Sequence, residues 1–190
     1  MARMNISCLS LEQLMAYREL SKKLDDGLFD DWNELVSSKA IRQYTEAYRK
    51  EHSIPLLQLA TDTENLELAE SLVEDNPNCV NEMYCDNRTP LMLTTSLDIA
   101  KILVENGADI NAIMYDGTSV LMYHMKQYES LLRNGIPKAI ETAQRIREII
   151  IFLLENGVKL IPRDGKMALN IAKEVEDEEL VKLIKMYMKK

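Results

Sequence analysis

The stretch RTPLMLTTSLDIAKILVENGADINA, residues 88–112, contains a helix start, two apolar periodicities and a helix stop, in that order. Thr89 can accept a backbone N–H as N-cap, and Pro90 then takes the first helical position, where its missing N–H costs nothing. Ile99, Ile102 and Leu103 recur at helical spacing, and Gly107 follows Glu105 and Asn106 where a left-handed C-cap is wanted. The stretch therefore predicts two short helices back to back. Each exposes an apolar face that neither can cover alone, so such a unit is stable only when copies stack on it.

The same residues resemble one ankyrin repeat, whose motif runs T-P-L-H-x-A, then a second helix, then a G-A-D-x-N exit. Thr89, Pro90 and Leu91 match the entrance, with Met92 where the family usually has His, and Gly107, Ala108, Asp109, Ile110 and Asn111 match the exit. The resemblance implies an all-α ankyrin-repeat solenoid, made of helix-turn-helix units joined by short finger turns, whose work is to bind a protein partner rather than to catalyse a reaction.

Weaker copies flank this unit. Ile54-Pro55-Leu56 falls in register with it, Ala60 takes a family alanine position, and Leu66, Leu68, Leu72 and Val73 supply a second helix, with Asp75 to Asn78 replacing the glycine exit. Tyr84 to Asn87 then forms a finger, Asn87 taking the left-handed position usually filled by Gly. A third copy begins at Ser119-Val120-Leu121, keeps its turn at Asp116-Gly117 and closes at Gly157. A fourth has Met167-Ala168-Leu169 at the entrance and keeps Ala172. The expected organisation is about four repeats over 53–190, divided 53–84, 85–114, 115–161 and 162–190, the last being a C-terminal cap.

The third copy is too long for the family period of about 33 residues. Asn134-Gly135-Ile136-Pro137 is the one breaker cluster between Ser119 and Gly157, so both helices must be extended rather than a loop added. Tyr128, Leu131 and Leu132 before the turn, with Ile136, Ile140 and Ala143 after it, are expected to zip the extra turns into a paddle opposite the fingers.

Residues 1–52 carry no repeat motif but read as helix. Ser10 with Gln13 and Asp31 with Glu34 make capping boxes, and Leu11, Leu14, Met15, Tyr17, Leu20 and Leu24 approximate one helical face. A helical N-terminal extension covering the open end of the first repeat is expected, because stacks of this kind need polar-faced ends.

Composition narrows the function class. No continuous apolar segment resembles a signal peptide or a membrane span, the longest aliphatic and aromatic run being Ile149 to Leu154. Cys8, Cys79 and Cys85 lack paired or metal-ligand spacing and read as reduced thiols in a cytoplasm. The net charge of −8 is uneven: residues 53–115 hold 11 acidic against 2 basic side chains. Such a patch repels nucleic acid and anionic membrane and speeds encounter with a basic protein, while also serving solubility.

No catalytic, cofactor or metal spacing is present. His52 and His124 stand in no nucleophile or zinc motif, and His124, at a normally alanine position, reads as a packed histidine. Adjacent acids such as Asp25-Asp26, Asp30-Asp31 and those from Glu174 to Glu179 read as solvated faces. The resemblance implies binding through finger tips and the concave face of the first helices. The matching finger positions are Met83, Tyr84, Asp86, Arg88, Met114, Tyr115 and Asp116, and the helix positions are Ser96, Lys126 and Gln127. A protein partner, basic in character, is expected, with no nucleic acid and no membrane. Two other readings stand beside it: an inhibitor or immunity-type protein masking a basic toxin or nuclease, and an enzyme with an unrecognised site.

Overall fold

The computed structural model describes residues 57, 58, 60, 61, 64–83 and 87–189. The helical extension over 1–52, the Ile54-Pro55-Leu56 entrance and the finger tip at Tyr84, Cys85 and Asp86 lie outside the described residues. Those described form seven α-helices and no strand: α1 (Leu66–Asp75), α2 (Pro90–Leu93), α3 (Leu97–Glu105), α4 (Val120–Asn134), α5 (Pro137–Glu155), α6 (Pro162–Glu174) and α7 (Glu178–Tyr187). A 3-10 turn, Pro77–Asn81, follows α1.

Local chemistry explains most helix ends. Asn65, Ser96, Ser119 and Asp177 each accept a backbone N–H of the helix they precede, and Pro90, Pro137 and Pro162 sit at first helical positions. Thr89 departs from expectation. Its hydroxyl makes no capping bond, because the Met92 N–H goes to the Thr89 carbonyl at 3.0 Å, and Oγ1 is buried with no hydrogen-bond partner among the described residues.

The helices pair as α2 with α3, α4 with α5 and α6 with α7, and the pairs stack in chain order. First helices touch first helices, α2 on α4 and α4 on α6. Second helices do likewise along α1, α3, α5 and α7. Leu91, Ile99, Leu103, Leu121, Ile150 and Leu153 are fully buried between them. Each such side chain contributes about 1.5–3 kcal/mol relative to exposure.

Three side-chain joins hold the stack in register. Asn81 donates from Nδ2 to the Gly107 carbonyl and accepts the Asp109 N–H at Oδ1, both at 2.7 Å, and Asn111 accepts the Lys159 N–H at 2.7 Å. His124, wholly buried on α4, donates from Nε2 to the Leu91 carbonyl of α2 at 2.8 Å. Burial pushes this imidazole down to about 4, so it is neutral near pH 7. Asp177 forms the third join: it caps α7 through the Leu180 N–H at 2.9 Å, accepts the Tyr128 hydroxyl of α4 at 3.0 Å and pairs with Arg147 of α5. Burial alone would raise the Asp177 carboxyl, but Arg147, the Leu180 N–H and Tyr128 together hold it below the usual range. The acids from Glu174 to Glu179 are thus not simply a solvated face, since Glu174 pairs with Arg133 at 3.0 Å and Glu179 with Arg147 at 2.8 Å.

Two long helices, α4 and α5, meet around Gly135, whose φ of 69° is the left-handed geometry that favours glycine. The expected zipper closes only partway. Tyr128 and Ala143 are buried and Leu131 and Leu132 half-buried, but Ile140 is exposed and Ile136 is 56% exposed, because Ile136 sits at the turn itself as the N-cap residue of α5. Further along α5, Arg145 reaches back past α2 and α3 to Glu64, at 2.6 Å, in the turn before α1.

The entrance expected at Met167-Ala168-Leu169 is six residues too late, since α6 has Ile161 as its N-cap residue and begins at Pro162. Asp164 and Gly165 lie inside the helix: Asp164 is buried and accepts the Ser119 hydroxyl at 2.7 Å, while Gly165 lies close under Met188. Met167 is accordingly exposed and Leu169 only half-buried, whereas Ala172 is buried as expected.

Candidate partner-binding surface

Between α3 and α4 the chain makes a finger. Ile113 and Ser119 form an antiparallel bridge, the Val120 N–H bonds to Ala112 at 3.2 Å and the Met114 N–H to Thr118 at 2.9 Å. The turn is closed by the Gly117 N–H on the Met114 carbonyl at 3.0 Å, with Gly117 at φ 78° as the Asp-Gly pair requires. Asp116 accepts the Thr118 N–H at 2.8 Å, and that bond first, helped by the charges of Lys126 and Arg163, lowers its carboxyl pKa. Lys126 of α4 donates to the Thr118 hydroxyl at 3.0 Å, tying the finger to the first helix behind it.

This arrangement brings several expected site residues together. Tyr115 stands at the tip, 79% exposed, with Asp116 and Lys126 exposed beside it, while Met114 is half-buried against the core. Gln127 is exposed on α4 next to Lys126. Met83 is exposed and Arg88 half-buried on the neighbouring finger, where Asn87 has the expected left-handed backbone at φ 58°. Tyr84 and Asp86 lie outside the described residues. Ser96 stands apart: it is in the turn between α2 and α3, at the end of α2 away from the finger, and its hydroxyl caps α3 by accepting the Ile99 N–H.

Sequence reasoning missed two residues at this surface. Ile113 is 58% exposed on the finger, and Arg163, in the first turn of α6, adds a cation facing Asp116. Alternation along the finger from buried Ala112 is the signal for Ile113. Arg163 had none, because its place depends on the early start of α6.

Among the described residues no group of three or more His, Cys, Asp or Glu side chains is arranged to hold a metal ion, and no helix is long and apolar enough to cross a membrane. Cys79 is a buried free thiol, pushed up to about 11 by burial and then by the charge of Glu82. No curated protein matches the sequence significantly. The family model for the ankyrin repeat matches residues 86–115, so the segment that runs from the finger turn at Asn87 through α2 and α3 to Tyr115 is similar to one ankyrin repeat.

Proposed function

We propose that the chain is a non-enzymatic protein-binding module, read as an ankyrin solenoid of about four repeats, at work in a cytoplasm. Ankyrin repeats are a protein–protein interaction family, and residues 86–115 match that family's model. The carrying observation is Tyr115, an aromatic 79% exposed at the tip of a finger whose backbone is held by its own hydrogen bonds. A large side chain on a rigid support loses little freedom on binding, which makes it suited to anchor an interface. The acidic excess over residues 53–115 favours a basic partner by long-range attraction.

The test is kinetic. A partner recovered by affinity capture is measured against wild type and against Tyr84→Ala with Tyr115→Ala. The double variant should dissociate at least about tenfold faster, the effect of losing a central aromatic anchor. Added salt should mainly slow association. A double variant that binds as the wild type does would remove the finger surface from consideration.

A further inference from the structure

The last helix pair sorts its charges by direction. Four of the six acidic side chains in residues 162–190 point back into the stack: Asp164 to Ser119, Glu174 to Arg133, and Asp177 and Glu179 to Arg147. Its lysines do the opposite. Lys173, Lys182 and Lys185 line an open groove of about 600 Å³ over Ala172 and Val181, and none of the three is ion-paired or hydrogen-bonded among the described residues. Glu176 and Glu178 also line this groove, but the outward balance remains basic, with Lys189 exposed one step further along.

A matching surface lies on α1, at the other end of the described stack, and its use requires that the extension expected over 1–52 leave this face of α1 open. On α1, Glu67, Glu70 and Glu74 are exposed, occupy one helical face and have no ion pair or hydrogen bond among the described residues. Their spacing of i, i+3, i+7 is also that of Lys182, Lys185 and Lys189 along α7 and its continuation, so the two stripes correspond residue for residue when the helices run parallel. Each stripe has exposed apolar neighbours, Leu66 on α1 and Met186 and Met188 beside the lysines.

We propose that the α7 face docks the α1 face of a second copy of this chain, giving head-to-tail self-association. Because the two faces differ and lie on different helices, the contact is heterologous. Each added copy leaves one acidic and one basic face free. The fingers take no part in it, so the contact is compatible with a partner on Tyr115.

Sedimentation velocity on the full chain at about 20 mM and about 500 mM salt reads this directly, since screening between exposed charges is weak at the first and strong at the second. Wild type should exceed its monomer mass of 21.9 kDa at low salt and return to it at high salt. Lys182→Glu with Lys185→Glu, and separately Glu67→Lys with Glu70→Lys, should each be monomeric at low salt with unchanged circular dichroism. Mixing the two variants should restore association, because one then offers the acidic α1 face and the other the basic α7 face. The milder Lys182→Gln with Lys185→Gln should weaken association at least about tenfold, guarding against misfolding of the reversed chains. A wild type that stays monomeric at low salt overturns the proposal, as does association that survives charge reversal or a mixture that fails to assemble. Binding of a synthetic polyglutamate peptide by a monomeric wild type would assign the lysine face to a foreign acidic partner and overturn it equally.

Discussion

Acidification should loosen the join between the α2/α3 and α4/α5 pairs through one side chain, His124. Its ring is wholly buried, with Nε2 on the Leu91 carbonyl at 2.8 Å, and its pKa is pushed from the ordinary 6.5 down to about 4. A depressed folded-state value means that the unfolded chain takes up the proton first. The stability contributed by the neutral ring is therefore complete above about pH 6.5, falls as the pH drops, and is gone below about pH 4. At about 1.4 kcal/mol per pH unit the full loss is about 3 kcal/mol, of which about 1 kcal/mol has gone by pH 5.5. Working at or above pH 5.5 also stays clear of the isoelectric point near 4.9. The comparison is His124→Gln, whose amide can still donate to Leu91 but does not titrate. Urea unfolding followed by circular dichroism from about pH 7.5 to 5.5 should show wild type losing about 1 kcal/mol relative to the variant, with carboxylates and His52 cancelling between the two. Parallel pH profiles for the two proteins would refute the burial argument for His124.

Leu91→Ala should cost about 2–5 kcal/mol in denaturant unfolding, because Leu91 is fully buried with helix pairs on both sides; a loss well below 1 kcal/mol would contradict that packing. Asp177→Asn should cost about 2 kcal/mol at pH 7 by leaving Arg147 and Tyr128 without their carboxylate. Since the Asp177 pKa is lowered on folding, its contribution is present above the usual carboxylate range and lost as the pH falls through the lowered value, so the gap between wild type and variant should narrow on acidification in thermal melts. Glu176, left-handed at φ 58° between α6 and α7, should give about 0.5–1 kcal/mol of added stability when changed to Gly; a lower melting temperature would show that its side chain makes a contribution of its own.

Local signals were legible and cross-chain ones were not. Gly117, Gly135 and Asn87 were readable because a left-handed residue leaves a mark in the sequence at the position where it acts. The two long helices of the third unit followed from one breaker cluster and a length. His124 on Leu91, Asn81 on Gly107 and Asp177 on Arg147 join positions 33, 26 and 30 residues apart, and no periodicity reports which distant carbonyl or guanidinium will face a given side chain. The Met167 entrance was misplaced for a related reason. Register from the other copies put the start there, but Pro162 had already started the helix, with Asp164 bonded to the distant Ser119. At the candidate site the same division holds: Tyr115 and Asp116 share a finger marked by Asp-Gly, whereas Ser96, chosen by register, proved to be occupied in capping α3.

The Arg145–Glu64 pair has a mechanical consequence. In a row of units that touch only their immediate neighbours, a pull on the chain ends strips off one unit at a time, and the force trace is a series of similar teeth. Arg145 of α5 and Thr95, in the turn between α2 and α3, both reach the Glu64 carboxylate, at 2.6 Å and 3.2 Å, so one side chain before α1 fastens the second and third units together. The middle unit shares that fastening. Extended at low salt, where the pair is strongest, these three units should yield as one large tooth, and Arg145→Ala should split it.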